Sequence, residues 1–328
     1  MPHNIDSMMY YGETPWHGLG TRLEKPATAE IAIRAAGLEW EAIKVPMYAK
    51  HSRGETLVPD AFAMMRGDRM QGADAVILGT VGSQYEPIQN RDAFAFFDPI
   101  VGEGAAIYHT AGSLGLGERI WILAKLPGEI EIAGQDITEK YLLLANSHDG
   151  SGAVQIKFTP IRVVCQNTLN MALKGESFIR IAHTRGANVR MADVHKDIEF
   201  IKKTYDGIET AFKRMAKVLV DDARLTEYVE AVFPIKEEWK PDRKRKIEQQ
   251  RQEAVKLFEA GTGNAAKGVR GTLWAAYNGI TEYADHRLVL GARTQSGRVD
   301  RLWFGDAAKL KEVAYDKAFE FANSWTKA

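Results

Sequence analysis

Eight histidines, a single cysteine and 43 acidic residues are the groups from which this chain could build a reactive site, and their spacing decides which chemistry is open. None of the histidines stands in an HxxxH, HExxH or Cys/His pair, the spacings that bring two ligands onto one metal. The densest polar run is Asn146-Ser147-His148-Asp149-Gly150-Ser151-Gly152. Its carboxylate and carbonyl oxygens suit a divalent ion, so one reading is a metal-dependent nuclease or other hydrolase around His148 and Asp149. The other is a hairpin turn, in which Asp and Asn bond their own backbone and Asp-Gly supplies the reversal. The composition favours the turn.

Cys165 could be imagined as a thiol nucleophile with His109 or His148 as base, but it falls on the apolar side of a predicted helix and reads as a small buried hydrophobe. Two glycine-rich stretches, Gly112 to Gly117 and Gly261 to Gly268, match neither the phosphate-cradling P-loop nor the dinucleotide fingerprint. The first lies between two strand-like runs, where a hairpin turn accounts for it. Paired carboxylates for hydrolysis cannot be assigned. The residues therefore name no catalytic group, metal ligand or cofactor, and the expectation is a protein that is not an enzyme.

Charge points elsewhere. The 43 basic and 43 acidic residues cancel, so bulk electrostatics draws the chain to neither nucleic acid nor an anionic membrane. Locally the charges separate. From Lys157 to Arg190 the bases are Lys157, Arg162, Lys174, Arg180, Arg185 and Arg190, against the one acid Glu176. Arg243-Lys244-Arg245-Lys246 opens a later helix, and Arg287, Arg293, Arg298 and Arg301 form a third group. Cations on one strand and one helix can neutralise phosphates, while Phe158, Phe178, Tyr108 and Trp121 could stack unpaired bases. An ordinary solvated surface, compensated in space by acids elsewhere, explains the same residues equally well.

The elements that must carry these groups follow from periodicity. Ala75 to Val81, Ile120 to Leu126 and Tyr141 to Ala145 are apolar runs of strand length, and Val154, Ile156 and Phe158 alternate with polar neighbours. Tyr141 to Ala145 and Val154 to Phe158 are expected to pair through the Asp149-Gly150 turn. Thr159-Pro160 then reads as a helix start, with the helix running to about Leu173 and Gly175 placed to stop it. On that helix Arg162, Gln166, Asn170 and Lys174 would form one exposed stripe. Another helix is expected over Arg91 to Val101.

Beyond Asp193 the pattern is helical, with further helices at Arg224 to Val232, Asp242 to Ala260, Leu273 to Asp285 and Asp306 to Trp325. Val194, Ile198, Ile201, Tyr205, Ile208, Phe212, Met215 and Leu219 recur at spacings of four and three. Such a seam serves a helix packed on its own domain or, as the alternative, a coiled coil with another chain. The fold class is thus α+β, a curved antiparallel sheet with helices on one face and a mainly helical C-terminal region. Residues 1–190 form the expected core domain, and 191–328 the helical region with a role in oligomerisation. The lone cysteine, the lack of a leader-like N-terminus and the lack of an apolar run near the ~20 residues of a membrane span predict a cytoplasmic protein with no membrane partner.

Several motifs resemble, in order and spacing, a family of phage- and plasmid-borne proteins described as domain of unknown function 932. They are Pro15-Trp16-His17-Gly18-Leu19-Gly20, the Asn146 to Ser151 run, Thr159 through Leu169, Trp274-Ala275-Ala276-Tyr277-Asn278 and Thr281-Glu282-Tyr283. The resemblance covers nearly the whole chain and implies a phage or plasmid setting without assigning an activity. At the level of fold alone, the order of helix, antiparallel strands and helix is similar to the phage single-strand annealing proteins of the Red beta, Erf and RecT type. That likeness implies an oligomer, in the form of a ring or filament, that lays single-stranded DNA along a basic groove. On this reading Lys157, Arg162, Lys174, Arg180 and Arg185 contact phosphates, while Gln166, Asn167 and Asn170 donate to phosphates or base edges. A protein that instead binds a host factor, without nucleic acid or turnover, is the remaining alternative.

Overall fold

Apolar side chains alternating along successive runs, broken by glycine turns, make the centre of this chain an antiparallel meander rather than helices. The structure is a computed structural model and describes residues 5–12, 19–98, 101, 106–134, 136–162, 167–168, 178–194, 198–291, 298, 301–303 and 305–325. In chain order, β1 (Ile5–Tyr11) and β2 (Thr21–Leu23) precede α1 (Ala29–Ala35), the hairpin of β3 (Ala42–His51) and β4 (Gly54–Arg66), then β5 (Ile77–Val81) and α2 (Asn90–Ala95). The meander is β6 (Ile107–Leu114), β7 (Arg119–Ile132), β8 (Asp136–Ser147) and β9 (Val154–Phe158), followed by β10 (Ile161–Arg162), β11 (Asn167–Thr168) and β12 (Phe178–Ile181). Helices make up the remainder: α3 (Ala187–Val194), α4 (Ile198–Met215), α5 (Asp222–Val232), α6 (Pro241–Ala260), α7 (Leu273–His286) and α8 (Asp306–Trp325).

The larger sheet runs β11-β10-β8-β7-β6-β1-β2, with β9 also on β8 and β12 on β9; β3-β4-β5 form a separate three-stranded sheet. All pairs are antiparallel except β1 with β2. This is the α+β class expected. The β8–β9 hairpin is present with Leu142 opposite Phe158 and Ala145 opposite Gln155. Gly115 and Gly117 make the β6–β7 turn at φ +72° and +115°, values that favour glycine. The three-stranded sheet was not foreseen beyond its last strand, β5.

One prediction fails where it matters for the site. Among the described residues of the helix expected from Thr159, two short strands stand instead, with Ile161 and Arg162 opposite Glu139 and Thr138 on one side and Thr168 and Asn167 on the other. The long strand β8 is the reason. Its Leu142–Ala145 end is paired by β9, and its Thr138–Glu139 end needs hydrogen-bond partners of its own. Pro160, with no N–H to donate, interrupts the ladder between β9 and β10 without starting a helix. Ladder pairing on β8 outweighs the local start signal. Helix α2 is also shorter than its predicted Arg91 to Val101 span. It is opened by Gln89, whose N–H donates to Asp92 Oδ2 at 3.3 Å while its side-chain amide is bonded to the Ala42 backbone.

Alternation along the strands sends side chains into two cores. From β7 and β8, Ile120, Ile122, Ala124, Leu142 and Leu144 join the main cluster, while Trp121, Leu123, Tyr141 and Leu143 join a smaller one closed by Met8, Leu114, Ile161 and Trp303. The main cluster reaches from Met9 to Ala322 and includes Tyr205, Ile208, Phe212 and Met215 of α4, so the a/d seam is spent inside the chain's own core at those positions. Leu219, at its end, is 70% exposed. Cross-links fasten the helices to the sheet: Trp274 Nε1 donates to Asp136 Oδ2 at 2.7 Å, and the Tyr205 hydroxyl donates to the Tyr141 carbonyl.

Within the helical half, Lys311 Nζ lies 2.6 Å from Asp285 Oδ1 with both side chains almost wholly buried. Removing one partner strands the other charge, so Asp285→Ala is expected to lower the unfolding free energy in urea by about 3–5 kcal/mol. Replacing both residues with apolar ones of similar size should recover most of the loss. A single-variant loss below about 1 kcal/mol would show that the pair is not held as described.

Candidate functional site

Two polar clusters and a basic edge are the places where this fold gathers chemistry. The first cluster begins at Asn90, the opening residue of α2, which is 1% exposed. Its Nδ2 donates to the carbonyls of Leu38 and Trp40, both at 3.1 Å, which leaves Oδ1 to accept from His148 Nε2 at 2.9 Å. That fixes the tautomer: Nε2 carries the proton and Nδ1 the lone pair. The Trp40 ring packs edge-on against His148 with centroids 5.2 Å apart, and Asn146 Nδ2 donates to the Ile88 carbonyl.

Close approach of the β8–β9 turn to β5 buries this histidine. A Cβ at Gly79 would lie 2.4 Å from the Asp149 carbonyl oxygen, so only glycine fits there. Asp149 Oδ1 accepts from Ser151 N at 2.8 Å and Gly150 has φ +79°, the geometry of a self-satisfied turn. The turn reading of Asn146 to Gly152 therefore holds, but His148 is 0% exposed. Burial, reinforced by His183 and opposed by Asp149, pushes its pKa down to about 3.

Tyr85 joins the cluster to the surface. Its hydroxyl donates to the Ser147 carbonyl at 3.1 Å, and its ring stacks on His183 at 4.7 Å and 16°. His183 Nδ1 donates to the Glu86 carbonyl at 3.3 Å; burial holds its pKa below the ordinary value, against the opposing effect of that bond. His148 Nδ1, His183 Nε2, Asn146 Oδ1, Ser147 Oγ and Trp40 Nε1 are all buried without a hydrogen-bond partner among the described residues. Beside them, residues including Ser83, Gln84, Tyr85, His183 and Thr184 line an open groove of about 360 Å³.

The second cluster sits on the other side of the meander. Glu139 accepts from Lys125 and, at 2.7 Å, from the Tyr141 hydroxyl; burial pushes its pKa up, but these bonds outweigh that and hold it below the usual carboxylate range. His109 packs edge-on against Tyr141 at 5.1 Å, and burial lowers its pKa to about 4. Neither cluster was read from the sequence as a unit, because strand register and not local spacing brings their members together. Among the described residues no group of three His, Cys, Asp or Glu could hold a metal ion.

The basic segment is divided by the fold. Arg162 and Asn167, expected on one helix, become register partners on β10 and β11. Arg180 is exposed on β12 opposite Gln155, and Arg185 is exposed in the turn before α3. Among the described residues no strand lies beyond β11 or β12, so two strands of the basic segment form the outer edge of the large sheet. Lys157, by contrast, is mostly buried and pairs with Glu312 Oε1 at 3.3 Å. Arg190 is spent on its own loop, donating to the carbonyls of Ala182, Thr184 and Arg185. Gln166, Asn170, Lys174, Cys165 and the Trp16-His17 motif lie outside the described residues. Three of the aromatics expected to stack bases, Tyr108, Trp121 and Phe158, are core residues at 0%, 2% and 3% exposure.

The other basic groups are partly engaged: Arg243 lies 3.7 Å over the Trp239 ring, Arg245 pairs with Asp242 and Arg301 with Asp306. Among the described residues no helix is long and apolar enough to cross a membrane.

Fold and site together define an α+β protein with a two-faced antiparallel sheet, a buried histidine–amide cluster at one hairpin end and a cationic outer edge. The chain belongs to the family described as Domain of unknown function (DUF932), whose model matches residues 77–303. That span includes the meander, the His148 turn, the basic strands and the helices through α7. We found no match among curated proteins and none among solved structures.

The buried neutral histidine has a measurable consequence. In the unfolded chain His148 takes up a proton near pH 6.5, whereas in the folded chain it does so only near 3, so its stabilising contribution is complete above 6.5 and is lost as pH falls. From pH 7 to 5 this removes about 2 kcal/mol. Urea unfolding at the two values should show at least that loss, because His183 and His109 shift in the same direction. Stability unchanged or rising between pH 7 and 5 would mean that His148 is not buried neutral.

Proposed function

We propose that this chain is a non-catalytic protein that binds single-stranded DNA along the outer edge of its large sheet and, as a self-associated assembly, promotes strand annealing in phage or plasmid recombination. The observation that carries the reading is the position of the basic segment: β11 and β12 are outermost, Arg180 is exposed on that edge, and Arg185 is exposed immediately after it. Free cations on an open edge can follow a flexible phosphate backbone, whereas paired ones such as Lys157 add little. Asn167 lies on the same edge through β11, with Arg162 one strand further in on β10.

Annealing and assembly rest on the likeness in element order to the annealing proteins, α2 followed by the antiparallel meander. The likeness is partial, since β10 and β11 stand where their following helix would begin. The hydrolase reading gains nothing from the turn, where His148 has no exposed surface and Asp149 holds Ser151.

Binding to a labelled single-stranded oligonucleotide should weaken steeply with salt. Replacing both Arg180 and Arg185 by alanine should make the slope of log affinity against log salt shallower by about 1.4, the effect of two lost phosphate contacts on a single strand. Faster renaturation of complementary strands in the presence of the protein tests the annealing step. No binding at low ionic strength removes the proposal; a double variant with an unchanged slope moves the interface elsewhere.

A further inference from the structure

Immediately after the outer strand the chain passes through Ala182 into His183 and Thr184, which form one wall of the groove, and then to the exposed Arg185. Ser83, Gln84 and Tyr85 line the groove as well, Tyr85 stacked directly on His183, and Asp60 completes the rim. A strand of nucleic acid lying on Arg180 and Arg185 would run directly past this opening.

Tyr85 is held from several sides. Its ring is stacked on His183, its hydroxyl donates to Ser147, its amide donates to the Gly82 carbonyl at 3.2 Å, and its own carbonyl accepts from Lys44 Nζ at 2.9 Å. An aromatic fixed in this way loses little freedom when a further ring stacks on it. It is half-buried and so still partly open, unlike Tyr108, Trp121 and Phe158.

Charge of both signs meets the rim: Arg190 donates to Thr184 Oγ1 at 2.9 Å on one side, while Asp60 lines the groove on the other. Lys44, beside Ser83 and Tyr85, is turned to their carbonyls at 2.7 and 2.9 Å. Asp60 contributes a carboxylate and is held at φ +53°, a left-handed conformation that Asp tolerates better than most residues. A carboxylate repels a phosphate but accepts hydrogen bonds from an exocyclic amine, and the exposed Gln84 amide can both donate and accept. The volume of about 360 Å³ falls at the small end of ligand sites, suited to a single nucleotide unit.

From this geometry we infer that the groove takes one unpaired base bearing an exocyclic amine, stacked beside Tyr85 and bonded to Asp60 and Gln84, with its phosphate on Arg185. The inference rests on the single-strand reading and sharpens it from backbone binding to preference among bases. The test uses the full chain and equal-length oligomers of deoxycytidylate, of thymidylate and of abasic sugar-phosphate, compared by fluorescence anisotropy at fixed salt. Deoxycytidylate should bind about tenfold more tightly than either of the others, a typical single-base stacking and bonding effect.

Asp60→Asn tolerates the same backbone conformation and removes the negative charge. It should raise thymidylate affinity while shrinking the ratio of deoxycytidylate to thymidylate affinity, an opposite pair of changes that general loss of folding cannot produce. Gln84→Ala, at an exposed position, should also shrink the ratio. Equal, salt-dependent affinity for all three oligomers would overturn the base site and leave the cationic edge standing. No binding of any oligomer would overturn both.

Discussion

Neither face of the β6–β9 meander can be left to water. Its strands place large apolar side chains on alternate sides, Ile120, Ile122, Leu142 and Leu144 one way and Trp121, Leu123, Tyr141 and Leu143 the other. Each such residue left exposed would forgo roughly 1.5–3 kcal/mol. The helical half covers the first face, and this demand absorbs the seam of α4, the aromatic cluster of Phe212, Trp274, Tyr277 and Tyr315, and much of α8. The second face is closed by contributions from both ends of the chain, Met8 and Trp303. A strand edge is then one of the few sheet surfaces left over, and the basic segment supplies its outermost strands.

The Asn90–His148 cluster is a different kind of restraint. One amide ties the backbone at Leu38 and Trp40 to the turn at the end of β8, joining segments more than fifty residues apart. Hydrogen bonds of this sort contribute about 1 kcal/mol each when made, while each buried polar atom left unmatched costs about 1–3 kcal/mol. The gathering of five such atoms around His148 and His183 is therefore a concentration of cost in one place, beside the groove. The same packing fixes Tyr85, so the rigidity of the groove wall follows from the fold's internal bonding.

Much of the secondary structure was legible. The strand Val154–Phe158 and the helix Asp306–Trp325 are bounded as their periodicity predicts, and α5, α6 and α7 differ from the predicted limits by at most two residues. What could not be read was pairing. Thr159-Pro160 is a sound local helix signal, yet the unpaired end of β8, a property of a strand some twenty residues earlier, decides the outcome. Lys157 looked like a free cation because Glu312, its partner, is 155 positions away. For the same reason Phe158, Trp121 and Tyr108 proved to be core, while Tyr85, far from the basic run in sequence, stacks against His183 just past β12.

The proposed function places single-stranded DNA on the basic strands, and the adjoining groove extends that interface. Hydrogen–deuterium exchange of the full chain, with and without a saturating deoxycytidylate oligomer, measures this directly. The account predicts added protection concentrated in residues 82–85 and 178–185, with little change over the α6 start at residues 239–246. Protection confined to that helix start, or oligomer binding with no added protection at either predicted segment, would contradict it.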